Sequence, residues 1–240
     1  MANIGKISEK YDKFVIFDTE TTGLDFARDE IIEFSAVVLE RRGSEVAVTQ
    51  EYVNLVSLSP GNTVPPKIEN LTGISTLDIL QRGIPKEQVC GDIAALFAGD
   101  TLLLAYNAHF DLSFLFYLLL RNGDPTILKG KDKLDLLTVY KDRRPFPHKL
   151  HNAIDAYGLA GKVVNSHRAI DDVLATVAVM EAMAAEDDDL DCYINLFGYN
   201  PNYRIQGKQI GSVDYRPQPI RYNAFPIQYK TKLYYSFESL

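Results

Sequence analysis

The feature that most constrains the fold is the segment FVIFDTETTGLD, residues 14–25, in which an apolar run ends in two acids. Phe14 to Phe17 are four consecutive apolar residues, Asp18 follows them, and Glu20 comes two positions later. A short apolar run that is ended by turn residues predicts a central, buried β-strand. Residues i and i+2 of a strand share a face, so Asp18 and Glu20 point the same way if the strand persists that far.

Two carboxylates on one face favour a metal site. Side by side they repel each other, and one of them tends to hold a proton. A divalent cation removes this repulsion, and hard oxygen ligands suit Mg²⁺ or Mn²⁺. The alternative is a pair of solvated acids at a strand end, and this segment alone leaves both interpretations open.

The rest of the first 190 residues alternates between strand and helix patterns, which predicts an α/β domain. Three further segments have the pattern of strands: residues 30–40, 46–56 and 101–107. The residues RRGS join the first two of these as a hairpin turn, and SPGNTVPPK, residues 59–67, is a loop. Seven segments favour helices: residues 68–75, 76–83, 85–99, 111–121, 135–143, 149–157 and 168–186.

A third acid lies in the segment YNAHFDLSFLFYLLL. Asp111 comes just after a buried strand and at the start of an apolar helix. The ends of strands in an α/β sheet are where sites form. The alternative is a first-turn acid that interacts favourably with the helix dipole.

The segment NSHRAIDDVLAT adds a histidine and a fourth acid. His167 lies at the predicted start of the longest helix, and Asp172 follows five residues later. About one and a half helical turns separate the two, so both side chains can reach one cavity. Asp171 points about 100° away from Asp172, and we expect it at the solvated surface.

Composition excludes several classes of protein. A net charge of −7 gives no overall attraction to nucleic acid. If the chain binds nucleic acid, metal ions and local basic patches must supply the attraction. Two cysteines, Cys90 and Cys192, are too few for a disulfide framework or a cysteine zinc site. We find no apolar stretch long enough for a membrane span and no signal-peptide pattern at the start, and we therefore expect a cytoplasmic protein without a membrane partner.

Together, the three acidic segments resemble motifs of the DEDD superfamily of 3′–5′ exonucleases. The D-x-E-T-T-G-L motif stands as DTETTGL at 18–24, N-x-x-F-D as NAHFD at 107–111, and H-x-A-x-x-D as HRAIDD at 167–172. The histidine five positions before the last aspartate is typical of the DEDDh branch. That branch includes the proofreading epsilon subunit of bacterial replicative polymerase, the exonuclease domain of Gram-positive replicative polymerases, RNase T and the TREX enzymes. The resemblance covers roughly residues 12–186.

The resemblance implies both a fold and a chemistry. The fold is RNase H-like, an α/β mixed sheet of about five strands flanked by helices, with the first three strands as antiparallel neighbours. In the family, Asp18, Glu20, Asp111 and Asp172 hold two divalent metal ions, Mg²⁺ or Mn²⁺, and His167 is the general base. Hydrolysis releases 5′-mononucleotides from a 3′ end.

The resemblance also implies substrate contacts around the acids. Leu24 and Leu71 would wedge against the terminal bases, although ordinary packing is the alternative for each. The backbone N–H groups of Thr19 and Thr21 would contact the terminal nucleotide.

Two further contacts and a histidine pair have competing interpretations. Phe110 stacks on a base or packs at its helix start, and Asn107 contacts the substrate or fixes the neighbouring loop. His148 and His151 lie in HKLHNAIDAYG, which resembles the family's H-K-L segment. Because the acids already account for the metals, we expect these histidines at surface positions.

The composition changes after about residue 190. Eight of the fourteen tyrosines and four of the eleven prolines lie in this part, and helical periodicity vanishes. We therefore predict an exonuclease domain over 1–189 and a small, β-rich, tyrosine-rich appendage over 190–240. The surface of this appendage has three possible roles. It is a platform for single-stranded nucleic acid, a protein interface, or a small module that simply packs on the domain.

The leading functional prediction is a metal-dependent 3′–5′ exonuclease acting on DNA with a free 3′ end, single-stranded or frayed, in proofreading or repair. A polymerase is a candidate partner. One alternative is an exoribonuclease that trims RNA 3′ ends, since the motifs are the same. An alternative of another class is a non-catalytic module that binds a polymerase or nucleic acid. The presence of all four acids and the histidine argues for the enzyme.

Overall fold

The structure, a computed structural model, describes residues 3–43, 45–164 and 168–197 and the short stretches 199–200, 204–205, 210, 212–213 and 216–217. A five-stranded sheet has the order β3-β2-β1-β4-β5. Its strands are β1 Lys13–Thr21, β2 Ile31–Arg42, β3 Glu45–Leu55, β4 Thr101–Ala105 and β5 Lys133–Asp135. The first three strands pair antiparallel, and β4 and β5 continue the sheet in parallel. The predicted mixed five-stranded sheet is confirmed.

The helices cover both faces of this sheet. They are α1 Ile7–Lys10, α2 Pro66–Thr72, α3 Thr76–Arg82, α4 Lys86–Leu96, α5 Ala108–Asn122, α6 Leu136–Arg143, α7 Leu150–Ala156 and α8 Ala169–Glu186. Short 3₁₀ helices span Pro125–Leu128 and Leu190–Tyr193. None of the helices within the described ranges combines the length and apolar character that a bilayer crossing requires.

Alternation along β1 divides the core into two layers. Phe14 and Ile16 lie in one hydrophobic cluster, with residues of α6, α7 and α8. Val15 and Phe17 lie in the other, with residues of α4 and α5. Successive side chains of a strand point to opposite faces, so a strand covered on both faces must be apolar throughout.

Two boundaries at the turn after β4 differ from the sequence prediction. The strand ends at Ala105 rather than at residue 107, and α5 begins at Ala108 rather than at Asp111. Asn107, between them, has a φ of 72° in the left-handed region. Asparagine adopts this conformation more readily than most residues, so a tight turn fits between strand and helix.

Strand β5 and helix α1 were not predicted from their residues. Strand β5 has three residues, KLD, which is too short for a periodic pattern, and its pairing with β4 defines it. Helix α1 has four residues, which is also too short to show a periodic pattern in the sequence.

The described residues that follow position 189 pack onto the core. Leu190, Tyr193 and Leu196 belong to the cluster that contains α8. Asn195 continues the sheet edge, because its N–H donates to the Lys133 carbonyl at 2.8 Å and its Oδ1 accepts from the Lys133 N–H at 3.0 Å. The division at residue 190 stays a prediction.

Four short strands lie in this last part. They are β6 Leu196–Phe197, β7 Tyr199–Asn200, β8 Arg204–Ile205 and β9 Arg216–Pro217, paired as β6 with β9 and β7 with β8. Most of the predicted tyrosine-rich surface lies outside the described residues.

Candidate active site

Three of the four predicted acids converge at the end of β1. The strand persists through Glu20 to Thr21, so Asp18 and Glu20 share a face. Asp172 comes from the first turn of α8, which packs against β1 and β2. Carboxylate oxygens of Asp18, Glu20 and Asp172 all lie within 4.8 Å of one another. Among the residues that the structure describes, this is the one group of three or more acids, histidines or cysteines arranged to share an ion.

The fourth acid, Asp111, is held beside this group by β1. It lies in the first turn of α5 and is 2% exposed. Its Oδ1 accepts two hydrogen bonds from Thr19, from the backbone N–H at 2.9 Å and from Oγ1 at 2.8 Å. The Thr19 N–H thus donates to Asp111, and its contact with the terminal nucleotide stays a prediction.

Crowding of the acids changes their protonation. Burial raises the pKa of Asp18 well above its ordinary value, and the charges of Asp111 and Glu20 raise it further. Burial, followed by the charges of Asp172 and Glu33, raises the pKa of Glu20 to about 8. Burial also raises the pKa of Asp111, although the Thr19 hydrogen bonds oppose the effect. A divalent cation would relieve this repulsion, and a donor set of carboxylate oxygens alone fits Mg²⁺ or Mn²⁺.

A buried ion pair fixes the start of α8 beside the acids. Glu33 lies on β2 opposite Glu20 in the β1–β2 register and is fully buried. Its Oε1 accepts from Arg168 Nη2 at 2.6 Å, and its Oε2 accepts from the Ala169 N–H at 2.9 Å. Because Arg168 precedes the first residue of α8, this pair sets the position from which Asp172 projects.

The sequence analysis missed Glu33. The available signal was an acid inside the apolar run IIEFSAVV of a predicted strand. A charge buried there requires a partner of opposite sign, and that partner was not identified from sequence.

Asp135 was also missed as a supporting residue. It ends β5 and is 2% exposed. Its carboxylate accepts four hydrogen bonds, from the N–H groups of Asn107 at 2.9 Å, Ala108 at 3.1 Å and Leu137 at 3.1 Å and from Thr138 Oγ1 at 2.7 Å. The carboxylate therefore holds the β4–α5 turn that carries Asp111.

The two predicted wedge residues are large apolar side chains in contact with solvent. Leu24 is 82% exposed and Leu71 is 48% exposed. The loop after Leu24 is anchored on α5, where the Phe26 ring packs against Phe114 and Arg121 donates to the Ala27 carbonyl. An anchored loop can present Leu24 at a fixed place, and its role as a wedge stays a prediction.

The remaining predicted contacts have mixed environments. Thr21 is buried, and its hydroxyl donates to the Gly23 carbonyl at 2.7 Å. The half-buried Phe110 packs with its ring centroid 4.8 Å from that of Phe114, which matches the packing interpretation. Asn107 is exposed, and its side chain does not cap α5.

The three histidines of the prediction are placed as follows. His148 is half-buried, with Nε2 2.9 Å from the Arg144 carbonyl oxygen, and His151 is exposed. His167 lies outside the described residues. Its role as a base stays a prediction.

Comparison with known proteins identifies the family. A family model described as exonuclease matches residues 15–180. The chain belongs to this exonuclease family. The family and class of enzyme predicted from the three acidic segments are therefore confirmed.

Curated proteins of similar sequence include DNA polymerase III proteins. The chain is 31% identical over 185 residues to a PolC-type DNA polymerase III of Halalkalibacterium halodurans, a match that covers 75% of this chain and 12% of that protein. It is 31% identical over 176 residues to the DNA polymerase III subunit epsilon of Treponema pallidum, covering 72% and 76% of the two chains. The match thus spans about an eighth of the PolC-type protein and three quarters of the epsilon subunit.

Solved structures of the exonuclease family share the fold. Escherichia coli exonuclease I in complex with a dA16 oligonucleotide matches with a TM-score of 0.65 at 24% identity, over 76% of this chain and 42% of that chain. A complex with a dT13 oligonucleotide gives a TM-score of 0.66 at 25% identity, over 76% and 43%. The likeness confirms the fold predicted from the sequence.

Proposed function

We propose that this chain is a metal-dependent 3′–5′ exonuclease that releases 5′-mononucleotides from single-stranded or frayed 3′ ends of DNA. One observation carries the proposal. Three carboxylates meet within 4.8 Å of one another at the end of β1, with Asp111 fixed beside them, in a chain of the exonuclease family.

The choice of DNA, and a role in proofreading or repair, rests on relatives. Those with matching sequences are named as DNA polymerase III proteins, and a solved neighbour holds a deoxyadenosine oligonucleotide. A polymerase is accordingly the protein partner that we propose. Trimming of RNA 3′ ends is the alternative outcome of the test below.

The residues have separable roles in this mechanism. Asp18, Glu20, Asp111 and Asp172 would hold two divalent cations, Mg²⁺ or Mn²⁺. When bound, these ions would stabilise the negative charge on the phosphate and on the leaving oxygen and would lower the pKa of the attacking water. His167 would accept a proton from that water, since an unperturbed imidazole has a pKa of about 6.5.

Other residues orient the substrate and the acids. Thr19 keeps Asp111 in place through two hydrogen bonds. The exposed side chains of Leu24 and Leu71 would press against the terminal bases. Asn107, at the surface of the β4–α5 turn, would contact the strand next to the 3′ end.

The test compares two polymers and two acid variants. DNA and RNA oligonucleotides with a 5′ label and an unpaired 3′ end are incubated with Mg²⁺, Mn²⁺ or EDTA. We expect a descending ladder on DNA that requires metal. Asp18→Asn should slow it by at least ~100-fold, and Asp171→Asn, a control from the same helical turn as Asp172, should leave it nearly unchanged.

Two results would change the proposal. If the ladder forms faster on RNA than on DNA, RNA replaces DNA as the proposed substrate. The absence of a ladder on either polymer, or full activity in Asp18→Asn, would contradict the proposed hydrolysis at these acids.

A further inference from the structure

A cleft lies beside the β4–α5 turn, at the edge of the sheet where β4 and β5 end. Its volume is about 520 Å³, and its lining includes Tyr106, Asn107, Lys141, Phe146, His148 and Lys149. Asn107 belongs to both places, because it lines the cleft and also precedes α5 in the turn that carries Asp111. Asn107 is four residues before Asp111 in the chain, so the cleft adjoins the turn from which that acid projects.

Phe146 presents an unusually exposed ring in this cleft. It is 83% exposed, the highest value among the large apolar side chains that the structure describes. Its edge-to-face partner is His148, with ring centroids 5.8 Å apart. Aromatic rings exposed in this way are the platforms on which single-stranded nucleic acids stack their bases.

The Phe146 loop is fixed relative to the sheet. Tyr106, which follows β4, donates its hydroxyl to the His148 carbonyl at 2.9 Å. The His148 Nε2 lies 2.9 Å from the Arg144 carbonyl oxygen at the end of α6. These contacts tie the loop to the residue that follows β4 and to the end of α6. Phe146 is thereby held beside Asn107, which lines the same cleft and lies in the β4–α5 turn.

Two ammonium groups make the cleft locally basic. Lys141 and Lys149 line it, and neither forms a salt bridge with any residue in the described part of the chain. The neighbouring arginines are already neutralised, since Arg143 pairs with Asp189 and Arg144 with Glu186. The charge of Lys141 also acts on the buried carboxylate of Asp135. In a chain with a net charge of −7, two lysines without a salt bridge in the described ranges still complement a phosphate.

We propose that this cleft binds a nucleotide of the single strand upstream of the scissile 3′ end. The base stacks on Phe146, and a backbone phosphate lies near Lys141 and Lys149. The inference rests on the proposed function, which places the 3′-terminal nucleotide at the acids. Stacking and charge distinguish bases poorly, so the subsite tolerates any sequence.

The first experiment separates the subsite from the chemistry with two substrates. One is a dT12 oligonucleotide, and the other is thymidine 5′-monophosphate p-nitrophenyl ester, which has no upstream nucleotide. For Phe146→Ala we expect KM for dT12 to rise about tenfold, because one stacked base loses its platform. For the double variant Lys141→Ala/Lys149→Ala we expect a rise of about the same size, because a backbone phosphate loses two cations. The kcat for dT12 and both constants for the ester should stay unchanged.

Matched controls come from exposed residues away from the cleft. Leu80→Ala removes another highly exposed apolar side chain, and Lys129→Ala removes another exposed lysine. Neither should change KM for dT12, and Phe146→Tyr should restore the wild-type value. Loss of the two lysines should also make KM less dependent on salt, because fewer counterions are released.

Binding measurements keep the inference testable if hydrolysis is absent. The same substitutions are placed in Asp18→Asn, and the Kd for fluorescent dT12 is measured by anisotropy. A Kd that rises about tenfold supports the subsite even where the proposed hydrolysis fails. An unchanged Kd and KM for dT12, or an equal loss on the ester, overturns it. Binding of peptides rather than dT12 would also overturn it.

Discussion

At the scale of single residues, the site concentrates negative charge that the protein alone does not neutralise. Asp18, Glu20, Asp111 and Asp172 are gathered at one strand end, and Arg168 is the cation that directly pairs with Glu33 beside them. Burial and repulsion raise the pKa values of Asp18 and Glu20. The folded chain therefore retains protons there that the unfolded chain releases, which has a measurable consequence.

The first prediction concerns stability in the absence of metal. The pKa of Glu20 is about 8 in the folded protein and 4.5 for the ordinary group. Between these values the folded state binds more protons than the unfolded state, so the free energy of unfolding falls as pH rises. In EDTA we expect Tm to decrease from about pH 5 to about pH 8.

Variants and metal test the same linkage. Glu20→Gln should flatten the fall in Tm, whereas Glu51→Gln on the exposed edge of β3 should not. Added Mn²⁺ should raise Tm most at the alkaline end, because it binds the ionised carboxylates. A Tm that rises with pH in EDTA would refute this description of the acids.

The second prediction concerns the ion pair that supports α8. Glu33→Gln removes the charge that Arg168 and the Ala169 N–H contact. We expect the free energy of unfolding to fall by about 1–3 kcal/mol. We also expect a lower kcat with KM little changed, because the substitution displaces Asp172 and leaves the residues that bind the substrate in place. Urea denaturation and steady-state kinetics measure the two effects, and wild-type kcat in Glu33→Gln would exclude a positioning role.

At the scale of elements, the apolar strands and long helices were predictable and their supports were not. Strand β1 was predicted because four apolar residues run straight into acids, and α8 because its apolar residues recur at helical spacing. The acids themselves were found through local motifs. Glu33–Arg168 and Asp135–Asn107 link residues that are far apart in sequence, and nothing in local spacing indicates such contacts.

The third prediction separates the backbone role of Asn107 from its side chain. Its φ of 72° costs most L residues about 1–2 kcal/mol. Asn107→Gly should therefore keep the wild-type stability, and Asn107→Val should lose about that amount. If the side chain contacts the substrate, Asn107→Gly should raise KM for oligonucleotides at unchanged Tm, and unchanged KM would limit Asn107 to its turn.

At the scale of the whole molecule, the sheet and the segment after α8 form one core in the described residues. Tyr193 is buried and its hydroxyl donates to Asp142 at 2.6 Å, and Phe197 is 1% exposed among residues of β1 and α5. The change in tyrosine and proline content near residue 190 is a compositional boundary. Side-chain packing crosses it, and composition alone does not show such packing.

The fourth prediction compares two truncations. A chain that ends at Asp189 loses Leu190, Tyr193, Leu196 and Phe197 from the core. Since removal of one large buried side chain costs about 2–5 kcal/mol, we expect it to unfold or to melt far below the full chain. A chain that ends at Pro217 keeps all four of these side chains and should melt well above the chain that ends at Asp189. Equal Tm values for the two truncations would contradict the shared core.

The central claim is that the carboxylates at the end of β1 are the metal-binding centre of a 3′–5′ exonuclease. The most direct measurement is the recovery of nuclease activity when Mn²⁺ is titrated into EDTA-treated protein with a 5′-labelled single strand. We predict recovery in the wild type and in Asp171→Asn, and almost none in Asp18→Asn or Asp172→Asn at any Mn²⁺ concentration. Activity that persists in EDTA, or that returns equally in all four proteins, would contradict it.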